Sequence, residues 1–108
     1  MSTDPSFIEY ISELLAPLGT IRAKKMFGEY GIYCDEVFFA MVCDGFLYFQ
    51  VNEEVAREFS ELEEPYPGGK PAGKATPDLL ENREELLRVA RLSWEYKSSM
   101  PVKKTKKR

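Results

Sequence analysis

The sequence predicts a small α+β domain, in which an antiparallel meander of four to five strands is flanked by an N-terminal and a C-terminal helix. Three observations carry this prediction. Apolar residues recur at helical spacing near both ends, residues 20–51 alternate with a period of two, and turn residues divide that segment. With 108 residues, of which 44% are apolar and 13% aromatic, the chain can bury a core without a disulfide or metal.

Both terminal helices carry start signals. Thr3 or Asp4 is suited to cap a helix that Pro5 opens. The apolar stripe of this helix is Phe7, Ile8, Ile11, Leu14, Leu15 and Leu18. Asn82, with Glu85 three positions later, opens the last helix as a capping box. Its apolar positions cover more than half of the circumference, which predicts contacts on more than one side: Leu86, Leu87, Val89, Ala90, Leu92, Trp94 and Tyr96.

Four strands are predicted between the helices, followed by a short strand near the second glycine cluster: Thr20–Phe27, Glu29–Cys34, Val37–Cys43, Phe46–Val51 and Ala72–Ala75. Asp44-Gly45 is typical of a two-residue type I′ turn, because both positions tolerate positive φ. Glu36 resists positive φ, which favours a turn wider than two residues at Asp35-Glu36. A short acidic helix is predicted from Glu53 to about Phe59, behind the cap Asn52.

If both turns have two residues, alternation assigns the side chains to two faces of the sheet. One face holds Tyr33, Phe38, Ala40, Val42, Leu47, Phe49 and Val51. The other holds Tyr30, Ile32, Cys34, Val37, Phe39, Met41, Cys43, Phe46, Tyr48 and Gln50. Both faces are apolar and must be covered. Either one helix covers each face, or a homodimer buries the second face through Tyr30, Ile32, Phe39, Met41 and Tyr48.

Several kinds of chemistry lack the residues they need. The chain contains no histidine, and its two cysteines, Cys34 and Cys43, do not form a metal-binding or disulfide pattern. We therefore expect no catalytic residues, no metal and no cofactor. Met1–Pro5 does not look like a signal peptide, and the longest apolar run, Val37–Cys43, is too short to span a membrane. These features predict a cytoplasmic protein that is not an enzyme.

The basic residues are concentrated at the C-terminus. Residues 1–98 are predicted to form the domain, and residues 99–108 a basic, disordered tail containing Lys103, Lys104, Lys106, Lys107 and Arg108. Without those five, ten basic residues face eighteen acidic ones, a net charge of −8. So acidic a body is poorly suited to duplex DNA. Weak nucleic-acid binding through the tail is one alternative function, although short basic ends more often serve solubility.

Two further segments contain candidate site residues. Gly68 to Ala75 fits the start of a phosphate-binding loop, but Ala75 stands where Ser or Thr must hold magnesium, so we expect a turn-rich loop. Arg22 and Lys25 are candidate contacts for an anion or a partner. A small enzyme using these two with Glu29 and Tyr33 is the least favoured alternative, and it requires an enclosed pocket around Arg22.

The segment Arg22–Tyr33, with its Met26-Phe27-Gly28 block, is followed by Phe38–Val42 and Leu47–Phe49. Together these residues resemble the N-terminal domain of the TfoX/Sxy family, over roughly Ile8–Tyr96. The resemblance implies an α+β regulatory domain, associated in its best-known members with control of natural competence genes. We expect a short, stand-alone member that acts as a regulatory or protein-interaction module.

Overall fold

The computed structural model describes residues 4–26, 29–65 and 67–99. The helices are α1 (Pro5–Leu15), α2 (Glu53–Ala56), α3 (Pro77–Glu81) and α4 (Arg83–Ser99), and a single 3₁₀ turn (Ala16–Leu18) follows α1. The strands are β1 (Ile21–Met26), β2 (Glu29–Cys34), β3 (Val37–Cys43), β4 (Phe46–Phe49), β5 (Leu62–Glu63) and β6 (Ala72–Lys74).

The strands form one antiparallel sheet in the order β1-β2-β3-β4-β6-β5. This confirms the predicted α+β class, with six described strands rather than four or five. The additional strand is β5, which pairs with β6 through Leu62–Gly73 and Glu63–Ala72. Because β6 lies next to β4, the first four strands form a meander and the last two enter in reverse order.

Local side-chain caps fix where the helices begin. The Asp4 carboxylate accepts the Ser6 N–H at 2.9 Å, and the Asn52 side chain accepts the Val55 N–H at 2.8 Å. Asn82 accepts the N–H of Glu85 at 3.2 Å and caps α4 as predicted. The reciprocal half of the predicted capping box is not formed, because the Asn82 N–H donates to the Leu79 carbonyl. Each cap satisfies a backbone donor that has no partner inside its own helix.

The turn between β2 and β3 is tighter than expected. Asp35 and Glu36 both have positive φ, 50° and 70°, and Cys34 pairs directly with Val37. The prediction of a wider turn was therefore wrong. Residues outside the turn hold it in place, since the Asp35 carboxylate accepts the Thr20 N–H at 3.0 Å and the Asp35 N–H donates to the Thr20 carbonyl at 2.9 Å.

A β-bulge in β3 changes which side chains share a face. Tyr33 pairs with Phe38, but the next residue back, Ile32, pairs with Ala40, so Phe39 is an extra residue on β3. Because of this extra residue, the β3 side chains after Phe39 point to the opposite faces from those that regular alternation assigns them. The predicted two-residue turn at Asp44-Gly45 is confirmed, since Cys43 pairs with Phe46 and Met41 with Tyr48. The predicted division into two faces was wrong.

Both long helices pack on the same side of the sheet. One continuous core contains Ile8, Ile11 and Leu15 of α1, Leu86, Val89 and Ala90 of α4, and Ile32, Cys34, Phe39, Ala40, Val42, Leu47 and Phe49 of the sheet. The expectation of one helix on each face was therefore wrong. Wide apolar contact of α4 is confirmed, because this helix contacts α1, α2, α3 and β3.

Two hydrogen bonds tie α4 to the sheet. The Trp94 indole Nε1 donates to the Cys34 carbonyl at 2.8 Å, and the buried Ser93 hydroxyl lies 2.6 Å from the Gln50 carbonyl. Among residues 4–26, 29–65 and 67–99, no helix has the length and apolar character that crossing a membrane requires.

Candidate interaction surface

The sheet has a second face, opposite the helices. We call it the open face and define it by the side chains that the register places there: Tyr33, Phe38, Met41, Cys43, Phe46 and Tyr48. Among the described residues, the small apolar cluster on this face consists of strand residues, namely Met41, Cys43, Tyr48 and Ala72. The buried apolar residues of α1 and α4 belong instead to the main core.

The centre of the open face is closely packed. Cys43, Tyr48 and Ala72 are only 6%, 5% and 3% exposed. The Cys43 Sγ lies 3.7 Å from the Met41 Sδ. Burial raises the pKa of the Cys43 thiol, and burial together with the nearby Glu63 carboxylate raises the pKa of the Tyr48 hydroxyl. Both groups are therefore neutral at physiological pH, so Cys43 is a packing residue and not an activated nucleophile.

Aromatic rings surround this centre. The Tyr33 and Phe38 rings lie with their centroids 5.4 Å apart, and both side chains are partly exposed. Phe46 is 44% exposed, and the Lys74 Nζ lies 4.2 Å from its ring centroid. Exposed aromatic rings on a preformed sheet are suited to binding another apolar surface, because little conformational freedom is lost on contact.

Ion pairs lie toward the two edges of the sheet. Arg22 on β1 pairs with Glu36 at 3.3 Å, and Lys74 on β6 pairs with Glu63 on β5, also at 3.3 Å. An apolar centre with charged groups around it is the usual composition of a protein–protein interface. The charges in these two pairs balance, which does not favour a polyanion such as nucleic acid.

The five residues predicted as a dimer interface do not share one face. Ile32 and Phe39 are fully buried in the main core, and Tyr30 packs against that core. Met41 and Tyr48 lie on the open face. The bulge explains this division, because it inverts the alternation between Phe39 and Met41. The homodimer itself stays a prediction.

The candidate anion or partner contacts are also separated. Arg22 has half of its side chain exposed and pairs with Glu36, while Lys25 has the opposite parity on β1 and lies on the helix side. Neither lines a cleft of about 260 Å³ that lies between α3, α4 and the segment following α2. The basic residues Lys103, Lys104, Lys106, Lys107 and Arg108, with the rest of the predicted tail beyond Ser99, lie outside the described residues.

That cleft has acidic walls, which include Glu58, Asp78 and Glu85. Arg88 neutralises two of these carboxylates by pairing with Glu58 at 2.9 Å and with Glu85. The hydrogen bonds from Arg88 hold the pKa of the Glu85 carboxyl below its usual range. This network links α4 to the segment that follows α2.

The segment from Gly68 to Ala75 contributes a strand and no phosphate loop. Lys74 lies in β6, where it contacts Glu63 and the Phe46 ring. Sequence reasoning missed this role of Lys74 and the presence of β5. The alternation in Glu61-Leu62-Glu63 was the available signal, but it is too short to distinguish a strand from a loop.

Comparisons with known proteins give matches over most of the chain. The family model described as "TfoX N-terminal domain" matches residues 13–96. The chain is 35% identical over 95 residues to an "uncharacterized 12.7 kDa protein in trpE 5′ region" of Spirochaeta aurantia, with 82% of this chain and 81% of that protein aligned.

A second similarity covers less of each chain. Over 45 residues the chain is 47% identical to "Protein Sxy" of Escherichia coli strain K12, a match that includes 42% of this chain but only 22% of that protein. The family match spans more than half of the chain and agrees with the resemblance based on Arg22–Tyr33. The chain therefore belongs to the TfoX N-terminal domain family.

Proposed function

We propose that this chain is a non-enzymatic regulatory module that works by binding protein, and that a second copy of the chain binds the open face. The observation that carries the proposal is the position of α1 and α4 on one side of the sheet. The other side is left with Tyr33, Phe38, Met41 and Phe46 all partly or largely exposed. A role in transcription or competence control is the regulatory setting that the family resemblance implies.

The composition of the open face supports a protein partner. Aromatic residues, Met and Arg are enriched in interfaces, and Tyr33, Phe38, Met41 and Arg22 supply all three kinds. A second copy fits because its open face has the same apolar centre and carries one ion pair toward each edge. Two such faces can bury their aromatic rings without placing an uncompensated charge at the centre.

The test is sedimentation velocity at micromolar concentration, with a matched pair of variants. Phe46 on the open face and Tyr10 on the helix side are almost equally exposed, at 44% and 43%. Phe46→Lys is expected to give monomers, because it places a charge beside Lys74 in the contact, while Tyr10→Lys is expected to remain dimeric. Circular dichroism checks that both variants fold.

Two results would remove the dimer. One is a parent protein that stays monomeric throughout the concentration range. The other is a Phe46→Lys variant that associates as strongly as Tyr10→Lys, which would place the contact on another surface. Phe38→Lys serves as a second variant, since Phe38 lies on the same face at the opposite end of β3 from Cys43, the partner of Phe46.

A further inference from the structure

The β1 edge is the longer of the two sheet edges. β1 is the terminal strand, and its six residues, Ile21–Met26, all pair with β2 in unbroken register. The opposite edge is β5, which has only two residues. An unbroken edge strand of six residues presents enough backbone to pair with a further strand.

Every second residue of β1 directs its backbone groups away from the sheet. The Thr20 carbonyl accepts the Asp35 N–H, so the bonded positions that follow it are Arg22 and Lys24. Ile21, Ala23 and Lys25 therefore point their N–H and C=O groups toward the open edge. Within the described part of the chain, no hydrogen bond involves the backbone of these three residues beyond the strand itself.

The same strand is strongly basic. Arg22, Lys24 and Lys25 are all exposed, and β1 contains no acidic residue. Glu36 offsets Arg22 at 3.3 Å, whereas Lys24 and Lys25 form no ion pair with any described residue. A second copy of β1 would place lysines against lysines, which is unfavourable in cross-strand pairs. The charge of this edge is complementary to an acidic strand.

We propose that the β1 edge binds an extended acidic segment of a partner protein by strand addition. The segment pairs its backbone with Ile21, Ala23 and Lys25 and places carboxylates near Lys24 and Lys25. Arg22 and Lys24 direct their side chains to the side of the open face, but the outward backbone groups belong to Ile21, Ala23 and Lys25. A dimer formed through the centre of the open face therefore leaves these backbone groups accessible. Edge lysines also discourage aggregation. A role in partner binding differs from this protective role in that it requires a segment of negative charge to bind more tightly than one of positive charge.

The probe is a blocked eight-residue peptide in which two glutamates alternate with two valines, so that carboxylates lie on both faces of the added strand, and it is labelled for fluorescence anisotropy. The matched peptide has lysine in place of each glutamate. The glutamate peptide is expected to bind, and its affinity is expected to fall as the salt concentration is raised, since salt screens exposed charges. The lysine peptide is expected to bind at least about tenfold more weakly, because it loses one or two exposed ion pairs with the edge lysines.

Three variants separate strand pairing from simple charge attraction. The double variant Lys24→Glu/Lys25→Glu is expected to bind the glutamate peptide at least about tenfold more weakly than the parent protein. Arg57→Glu with Lys70→Glu makes the same change in net charge at exposed positions away from β1, and is expected to bind like the parent. Ala23→Pro keeps every charge but removes one outward N–H, and is expected to abolish binding.

Amide hydrogen exchange on the unmodified protein gives a test that needs no variant. Peptide binding is expected to slow exchange at Ile21, Ala23 and Lys25 and to leave Arg22 and Lys24, already bonded to β2, unchanged. Equal binding of the two peptides, or full binding by a folded Ala23→Pro, would overturn the proposal. So would loss of self-association in a Lys25→Glu variant, because this side chain lies on the helix side and its change would weaken a dimer only if a second copy occupied this edge.

Discussion

The hydroxyl of Ser93, in the middle of α4, lies 3.0 Å from the carbonyl oxygen of Phe39, the extra residue of the β3 bulge. The same hydroxyl is 2.6 Å from the Gln50 carbonyl, and Ser93 is fully buried. The Phe39 carbonyl already accepts the Gln50 N–H at 2.9 Å. The single hydrogen of Ser93 is therefore best used by Gln50, just beyond β4, which links the helix to the sheet where the bulge alters the pairing.

Replacing Ser93 by Ala is expected to lower the free energy of unfolding by about 1–3 kcal/mol, because it leaves a carbonyl in the protein interior without its donor. Urea denaturation followed by circular dichroism measures the loss. Ser98→Ala is the matched control on the same helix. Its hydroxyl is exposed and bonds only to the Glu95 carbonyl, so a change within about 0.5 kcal/mol is expected.

The bulge also marks where sequence reasoning failed. Every residue from Val37 to Cys43 is apolar, so no polar residue fixes which alternate positions face the core. The run of apolar residues in β3 is therefore equally compatible with regular pairing and with a bulge that adds Phe39 as an extra residue. The helix caps at Asp4, Asn52 and Asn82 were predictable because each one depends on contacts within a few residues.

Long-range contacts explain the other differences. The turn at Asp35-Glu36 depends on Thr20, fifteen positions away from Asp35, and local propensity does not contain that contact. Lys74 reaches Phe46 and Glu63 only because β6 inserts beside β4. The sequence therefore predicts that the sheet has more apolar side chains than one core can bury. Which residues lie on the open face can be stated only once the pairing register of the strands is known.

The close approach of β6 to Phe59, in the segment that follows α2, predicts a strict requirement for glycine at position 73. A Cβ placed there would lie 2.5 Å from the ring of Phe59, which is itself stacked on Phe49. Gly73→Ala is expected to destabilise the protein by about 1–3 kcal/mol, because the packed ring must shift. Thermal denaturation of the variant measures this cost.

A double-mutant cycle isolates that contact. Phe59→Leu removes the ring at the cost of packing, and combining it with Gly73→Ala should recover at least about 1 kcal/mol relative to the sum of the two single changes. Strict additivity would show that the ring of Phe59 is not what excludes a side chain at Gly73.

The positive φ of Glu36, at 70°, predicts that glycine is preferred at this position. Glu36→Gly and Glu36→Ala both lose the exposed pair with Arg22, so that loss cancels in the comparison. The glycine variant is expected to be more stable than the alanine variant by about 1 kcal/mol, because only alanine retains the backbone strain. Equal stabilities in chemical denaturation would contradict the two-residue turn.

The burial of Tyr48 predicts a loss of stability at alkaline pH. Its pKa in the folded state is raised above the value of 10.0 for a free side chain, chiefly by burial and further by Glu63. The folded state therefore favours the neutral phenol, and this contribution is complete below that value and is lost as pH rises through the folded pKa. Burial also raises the pKa of the Cys43 thiol above its ordinary value of 9.0. Ionisation of Cys43 above that pH therefore lowers the stability of the folded state as well.

Tyr48→Phe keeps the ring in the open-face cluster and removes the ionisable hydroxyl. Between about pH 8 and pH 11, its unfolding free energy should fall less than that of the parent. Chemical denaturation at several pH values, in the presence of a reducing agent, measures both slopes. Tyr10→Phe, which removes an exposed hydroxyl on α1, is expected to follow the parent. Parallel curves for Tyr48→Phe and the parent would mean that ionisation of Tyr48 does not oppose folding, and that the centre of the open face is open to water.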